Sequence, residues 1–357
     1  MWSGLRGGSA AADTATRAAP RCRDRCRGPS ARFWRPFAKP GSGSVVMPEH
    51  PVVVIGFFDG VHRGHRALLD TARRFAADNG VGGDVVAVTF DTVPKIRGDL
   101  LCTPAERVRL LRRAGARDVR ILAFRNVRRL GPAAFLERCI RPLQPLSVTV
   151  GEGFRFGRDG SGGITELRRW CARSGIVLLV VGEVRAAAGD GMNRVSASRI
   201  RALVRAGRFT DAAVLLGRPY QLGGSVVPGQ GIGRTLGVPT LNWHPPTDVL
   251  QPRGVMAGHL VCARTVLPAV AYVGSRPTIP GGGGLVGEVH VIGRPPAGIR
   301  RVLFHPAALL RRDRRFGSVR ELQRQMLRDI ARARAVLRRR TAPHPVFPSG
   351  REAAPCR

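Results

Sequence analysis

The chain has 357 residues, 43% apolar content, seven cysteines and a formal net charge of +35, enough for two domains with ordinary cores plus tails. No apolar run approaches the ~20 residues of a membrane-spanning helix; the longest clear one, Ile176 to Val181, is strand length, so no membrane partner is expected. The cysteines, at 22, 26, 102, 139, 171, 262 and 356, form no paired C-x-x-C sets, which argues against a disulfide framework or zinc site and fits a reducing cytoplasm.

The positive charge comes almost wholly from arginine, since Lys39 and Lys95 are the only lysines. These arginines are spread along the chain, as genomic base composition would spread them, and aromatics (6%) are not interleaved with basic clusters as stacking platforms require. Nonspecific polyanion binding fits such a surface, and specific nucleic-acid recognition is not expected.

Residues 1–48 are rich in Arg, Ala, Gly, Ser and Pro and lack apolar periodicity, which predicts a disordered basic extension; Met47 then reads as an internal start. Val52-Val53-Val54-Ile55 is a β-branched run between Pro51 and Gly56, a buried parallel strand by pattern. Leu68, Leu69, Ala72, Phe75 and Ala76 follow at helical spacing, so one helix face packs on a sheet. Between strand and helix lies Gly56-Phe57-Phe58-Asp59-Gly60-Val61-His62-Arg63-Gly64-His65. A helix N-terminus attracts anions, Gly60 and Gly64 permit close backbone approach, and His62 and His65 add donors beside it. The segment is a candidate phosphate site.

Further strands are predicted at Val85 to Phe90, Val119 to Phe124 and Ser147 to Val150, with a helix at Pro104 to Ala114. Such alternation gives an α/β fold with a parallel sheet and ligands at the strands' carboxyl ends. Val195-Ser196-Ala197-Ser198-Arg199-Ile200-Arg201 opens a helix running through Val204, with Ser196 or Ser198 as cap. Beyond about 217 the texture changes to short strands punctuated by Gly and Pro, as in a small barrel. There, Gly229-Gln230-Gly231-Ile232-Gly233-Arg234-Thr235-Leu236-Gly237-Val238-Pro239-Thr240-Leu241-Asn242 combines a glycine-rich loop with Thr240 and Asn242 projecting from one side, oxygen ligands that suit Mg²⁺. On a strand at Gly287 to Val291, Glu288 and His290 share a face opposite Val289 and Val291. A helix from about Val319 to Leu337 and a basic tail over 339–357 complete the chain.

These segments resemble, in order, the signatures of the prokaryotic bifunctional riboflavin kinase/FMN adenylyltransferase (FAD synthase) family. The likeness rests on the Gly56–His65 string, on Thr89-Phe90-Asp91-Thr92-Val93-Pro94, Val150-Gly151-Glu152-Gly153-Phe154-Arg155-Phe156-Gly157 and Val195–Arg201, and on Leu216-Gly217-Arg218-Pro219-Tyr220 with the glycine-rich loop and Glu288. It implies a Rossmann-like nucleotidyltransferase domain (49–215) followed by a small β-barrel riboflavin-kinase-like domain (216–338) with a C-terminal helix. It further implies phosphorylation of riboflavin to FMN and adenylylation of FMN to FAD, each with ATP and Mg²⁺. In the first site the implied set is His62 and His65 as catalytic donors, with Gly56, Phe58, Gly60, Gly64, Ser196, Ser198, Arg199 and Arg201 around ATP. In the second it is Glu288 as general base, Thr240 and Asn242 on the metal, and Gly231, Gly233, Arg234, Thr235 and Gly237 around the phosphates. The chain has Val93 where the family has histidine and Gly153 where it has Asp or Asn, both near the nucleotide. Met256 replaces an aromatic, and Gly293-Arg294-Pro295-Pro296 replaces acidic-aromatic elements, at the flavin end. A paralogue with kinase activity alone and a non-catalytic flavin or RNA binder are the alternatives.

Overall fold

The structure, a computed structural model, describes residues 50–81, 84–92, 98–189, 191–229, 231–262, 265–275 and 285–339. The basic extension over 1–48, nearly all of the tail and Val93 lie outside those residues.

The first half is an α/β unit. Its strands β1 (Val52–Ile55), β2 (Val85–Phe90), β3 (Asp118–Leu122), β4 (Ser147–Gly151) and β5 (Val177–Val181) pair in parallel in the order β3-β2-β1-β4-β5. The helices are α1 (Arg63–Asp78), α2 (Pro104–Arg113), the short α3 (Phe124–Val127) and α4 (Pro132–Phe135), and α5 (Ile164–Arg173). Alternate residues of β1 feed two cores: Val52 and Val54 meet Leu68, Leu69 and Ala72 of α1, while Val53 and Ile55 meet Phe135, Leu167 and Trp170 on the other face. Burial on both faces explains why β1 is β-branched throughout. Thr103 caps α2, its hydroxyl accepting from the Glu106 amide at 3.2 Å. The strand expected over Val119 to Phe124 lies instead over Asp118–Leu122. The Phe124 amide donates to Asp91 Oδ1 at 2.9 Å and starts α3, so a cross-strand carboxylate ends the strand.

A hairpin of β6 (Arg185–Ala188) and β7 (Gly191–Arg194) leads to α6 (Ala197–Arg205) and α7 (Phe209–Leu216). Ser196 is the cap of α6, its hydroxyl accepting from the Arg199 amide at 3.3 Å. There follow β8 (Leu222–Val227), the single turn α8 (Ile232–Thr235), β9 (Leu241–Trp243), β10 (Gly254–Cys262), β11 (Thr265–Ser275), β12 (Leu285–Val291), β13 (Arg301–Arg311) and α9 (Val319–Arg339). The strands close into a six-stranded antiparallel barrel, order β10-β11-β12-β9-β8-β13. Trp243, Met256, Leu260, Ala271, Val289 and Phe304 fill it. Gly287 pairs with Trp243, and a Cβ there would fall on the indole, so the barrel closes over the tryptophan only because residue 287 has no side chain.

The barrel core continues into Leu203, Leu215, Leu216 and Tyr220, so α6 and α7 share its interior. Tyr220 is buried, and its hydroxyl donates to the Leu250 carbonyl at 2.6 Å. Leu100, from the α/β half, forms a parallel bridge to Val249: its amide donates to Asp248 O at 3.0 Å and its carbonyl accepts from the Leu250 amide at 2.8 Å. α9 lies on the barrel's outside through Ala333 against Val255, Ala257 and Leu310, with Arg311 Nε on Asp329 Oδ2 at 2.9 Å.

Candidate active sites

The first site is set by a strained turn. Phe58, Gly60 and Val61 have φ of 54°, 72° and 41°, a left-handed backbone that is costly for a β-branched valine. Asp59 holds it: Oδ1 accepts from the Leu101 amide at 2.8 Å, and Oδ2 pairs with Arg201 Nη2 at 2.7 Å, both side chains being largely buried. Arg201 Nε donates to the Asp99 carbonyl at 2.8 Å, and the Gly60 amide to Cys102 Sγ at 3.3 Å. Burial raises the Asp59 carboxyl above its usual range, against the pull of the Leu101 amide and Arg201.

The turn delivers His62 to the N-cap of α1, where its Nδ1 accepts from the His65 amide at 3.4 Å. A neutral imidazole that accepts through Nδ1 carries its proton on Nε2, so His62 is a donor toward the cleft. The two rings stack at 3.6 Å, with Phe58 edge-on to His65 at 5.2 Å. Gly64 is required beneath them, because a Cβ there would lie 3.2 Å from the His62 ring. Burial, then the Arg218 and Arg201 guanidinia, lower His62 to about 4; burial, then His62 and Arg107, push His65 well below the usual range. Both rings are therefore neutral at neutral pH. They line a cleft of about 140 Å³ with Gly64, Glu152, Gly153 and Arg194.

The remaining residues expected around ATP are placed elsewhere. Gly56 lies under the Phe58 ring; Phe58 is in the core; Gly60 faces Leu101 and Leu216, where a Cβ would come within 2.9 Å. Both glycine positions are closely packed where a side chain would stand. Arg201, expected on the phosphates, is committed to Asp59. Ser198 is exposed, and Arg199 donates to Asn193 Oδ1 at 3.1 Å. The cation on the cleft wall is Arg194, from β7, half of an exposed ion pair with Glu183 Oε2 at 3.3 Å that also borders the cleft; no sequence motif pointed to it.

The second site is a cavity of about 530 Å³ between the barrel and α9. Asn242 on β9 is the direct register partner of Glu288 on β12, which is the partner of Tyr272 on β11. All three line the cavity, as do Thr240, Gly231 and Gly233. The glycines make room: a Cβ on Gly229 would fall on the Asn242 amide, and one on Gly233 on the Val238 carbonyl oxygen and 3.1 Å from Thr240 Oγ1. The loop is one helical turn, entered at Gly231 (φ 71°) and left at Gly237 (φ 75°), tied by the Val238 amide to Gly233 O at 2.7 Å and by Gln323 of α9 to Leu236 O at 3.0 Å. Arg234 and Thr235 do not line the cavity; Thr235 Oγ1 donates back to Ile232 O at 2.8 Å. His290 Nδ1 donates to Pro239 O at 2.8 Å, bracing the start of β9. Val255, Val270, Phe316, Leu322, Met326 and Ile330 add an apolar lining. Met256 is not part of it: strand alternation turns its side chain into the barrel interior, where it is fully buried. The expectation that Met256 reshapes the flavin end is thereby corrected.

Two family models match this architecture, FAD synthetase over residues 46–198 and riboflavin kinase over 216–337. The bifunctional riboflavin kinase/FMN adenylyltransferase of Pseudomonas fluorescens is 34% identical over 304 residues, spanning 82% of this chain and 95% of that protein. The chain belongs to the bifunctional riboflavin kinase/FMN adenylyltransferase family. The Escherichia coli K12 member is 30% identical over 301 residues, covering 79% of this chain and 91% of its own length. A solved structure described as a macrolide-efflux protein from Streptococcus pneumoniae shares the fold, with a TM-score of 0.68, 26% identity, and coverage of 80% of this chain and 94% of that one. Among the described residues no helix is long and apolar enough to cross a membrane. In family terms, the His62–His65 cleft lies in the FAD synthetase half and the larger cavity in the riboflavin kinase half.

Proposed function

We propose that the barrel cavity is the riboflavin kinase site and the His62–His65 cleft the FMN adenylyltransferase site of one bifunctional enzyme. Riboflavin is phosphorylated to FMN and FMN is adenylylated to FAD, with ATP as donor in both reactions. The observation that carries the reading is the convergence of Thr240, Asn242 and Glu288 on one cavity. Neutral oxygen donors beside the Glu288 carboxylate suit Mg²⁺ that arrives with a triphosphate: Thr240 and Asn242 would hold it, and Gly229 and Gly233 leave the space a side chain would fill. When bound, the ion supplies charge neutralisation to the phosphates. Glu288 removes the proton of the ribityl 5′-hydroxyl as it attacks the γ-phosphorus, the bond from that phosphorus to the β–γ bridging oxygen breaks and ADP leaves, and the apolar lining takes the isoalloxazine ring.

In the cleft, the FMN phosphate attacks the α-phosphorus of ATP and pyrophosphate leaves. Nε2–H of His62 and the His65 ring donate to the oxygens on which charge builds, Arg194 adds a cation, and the N-terminus of α1 contributes its dipole. Ser196 acts by capping α6, and Arg201 by holding the turn through Asp59. Both reactions consume ATP, which supports a cytoplasmic setting.

The test is a pair of substitutions read by chromatography of riboflavin, FMN and FAD. Glu288→Ala should lower FMN formation by roughly 10²–10⁴ and leave FAD formation from supplied FMN intact. His62→Ala should lower FAD formation by roughly 10²–10³ and leave FMN formation intact. If either substitution abolished both products equally, the assignment of one reaction to each cavity would be wrong.

A further inference from the structure

Tyr272 is one of two tyrosines in the chain, and it faces the kinase cavity from the strand beside Glu288. We propose that Tyr272, with Asp313, is a specificity-determining pair that binds the polyol chain of the phosphoryl acceptor and holds its terminal hydroxyl at Glu288. This rests on the assignment of the cavity as the kinase site.

Asn242, Glu288 and Tyr272 form a row across three adjacent strands, each one register step from the next. Neighbouring strands lie about 5 Å apart. Phosphates sit at the Asn242 end, beside the glycine loop, so an acceptor whose hydroxyl reaches Glu288 extends its other carbons past Tyr272. Val255, the register partner of Tyr272 on its other side, lines the same cavity as Phe316, Leu322 and Met326, an apolar surface that suits a flat ring. The stretch between base and apolar surface is where a polyol needs polar partners, because hydroxyls that lose water without replacement are costly.

Tyr272 and Asp313 supply them. The phenol hydroxyl donates to Asp313 Oδ2 at 3.1 Å. Burial, with the Asp313 and Glu288 carboxylates close by, pushes the phenol up to about 12, so the proton stays on oxygen at neutral pH. With that proton committed to Asp313, the phenol oxygen keeps its lone pairs to accept from a polyol hydroxyl, and the carboxylate is an acceptor for a second one. The ring lies back along β11 over Gly274, where a Cβ would fall on the phenol hydroxyl; this packing fixes the hydroxyl's position. Nothing in the motif reading marked Tyr272.

The experiment compares riboflavin with lumiflavin, the same ring system without the polyol chain, binding to the intact protein by quenching of flavin fluorescence, together with riboflavin kinetics. Tyr272→Phe should weaken riboflavin binding roughly ten-fold, the size of a hydrogen bond assisted by a charge, and leave lumiflavin binding as in the wild type. Unchanged lumiflavin binding also shows that the variant is folded. Asp313→Asn should weaken riboflavin selectively too, and in the double variant the two losses should fall short of adding, because they act as one unit. Riboflavin binding unchanged in Tyr272→Phe, or equal loss for both flavins, overturns the proposal. A wild-type protein that makes no FMN, or a Glu288→Ala variant that makes it normally, removes the kinase assignment and this inference with it, an outcome distinct from the first two.

Discussion

A histidine that accepts through one ring nitrogen and is shielded from water by its neighbours does its work uncharged, and His62 is held in that state at a measurable thermodynamic cost. Its folded pKa of about 4 lies below the ordinary 6.5, so as the pH falls the unfolded chain takes up a proton that the folded chain refuses. The His62 contribution to stability is therefore fully present above about pH 6.5 and is lost as the pH drops toward 4, opposed in part by the raised carboxyls of Asp59 and Glu106. Between pH 6.5 and 5 the loss is about 2 kcal/mol from His62 alone. Urea midpoints at pH 7.5 and pH 5 should differ in that direction, and His62→Gln should flatten the dependence. His62, His65, Thr240, Asn242 and Glu288 were legible because each sits in a short string whose local geometry, a helix start or one face of a strand, is set within ten residues. Arg201 was legible as a helix-start arginine but not in its partner, since 142 positions separate it from Asp59 and no local pattern encodes that distance. Tyr272 and Arg194 were silent for a related reason: alternation gives a strand residue's face, but only the closed sheet says what that face looks onto.

The turn at Phe58–Val61 and the glycine loop at Gly229–Gly237 are devices of opposite kind. The turn stores strain and is clamped by a buried ion pair, whose breakage leaves an uncompensated charge. Arg201→Met should destabilise the protein by roughly 3–5 kcal/mol and lower FAD formation well beyond the fraction unfolded, as urea denaturation alongside the coupled assay would show. The loop stores no comparable tension; it depends on absent side chains. Gly233→Ala drives a methyl group into the Val238 carbonyl and against Thr240, so riboflavin kinase activity should fall at least ten-fold while FAD formation from FMN persists. Glycine density was read from sequence as backbone freedom for phosphates. At Gly60, Gly229, Gly233 and Gly287 the structure uses it for proximity of one chain segment to another.

Across the whole molecule, the α/β unit and the barrel are joined by more than a linker. Leu100 is stitched to the 248–250 segment, Leu101 grips Asp59, and α6 and α7 close the bottom of the barrel core. Tyr220→Phe removes the hydroxyl that satisfies the Leu250 carbonyl and should cost about 1–3 kcal/mol, visible as one lowered thermal transition. A barrel excised at residue 216 would bare the surface that Leu203, Leu215 and Phe209 cover, and should melt well below the parent. The alternation of strands and helices gave away the parallel sheet, and the glycine and proline punctuation gave away the barrel, because both are repeated local signals. The seam between them was unreadable, being made of single residues from segments far apart in the chain.

That seam bears on how such a protein can change. A substitution in the 246–250 segment, which lines neither cavity, tugs on Leu100, and through Leu101 on the carboxylate beneath the paired imidazoles. Grafting one catalyst's half onto a foreign partner would leave this junction mismatched, so the two halves are expected to drift in concert, each constraining the variation its neighbour can tolerate.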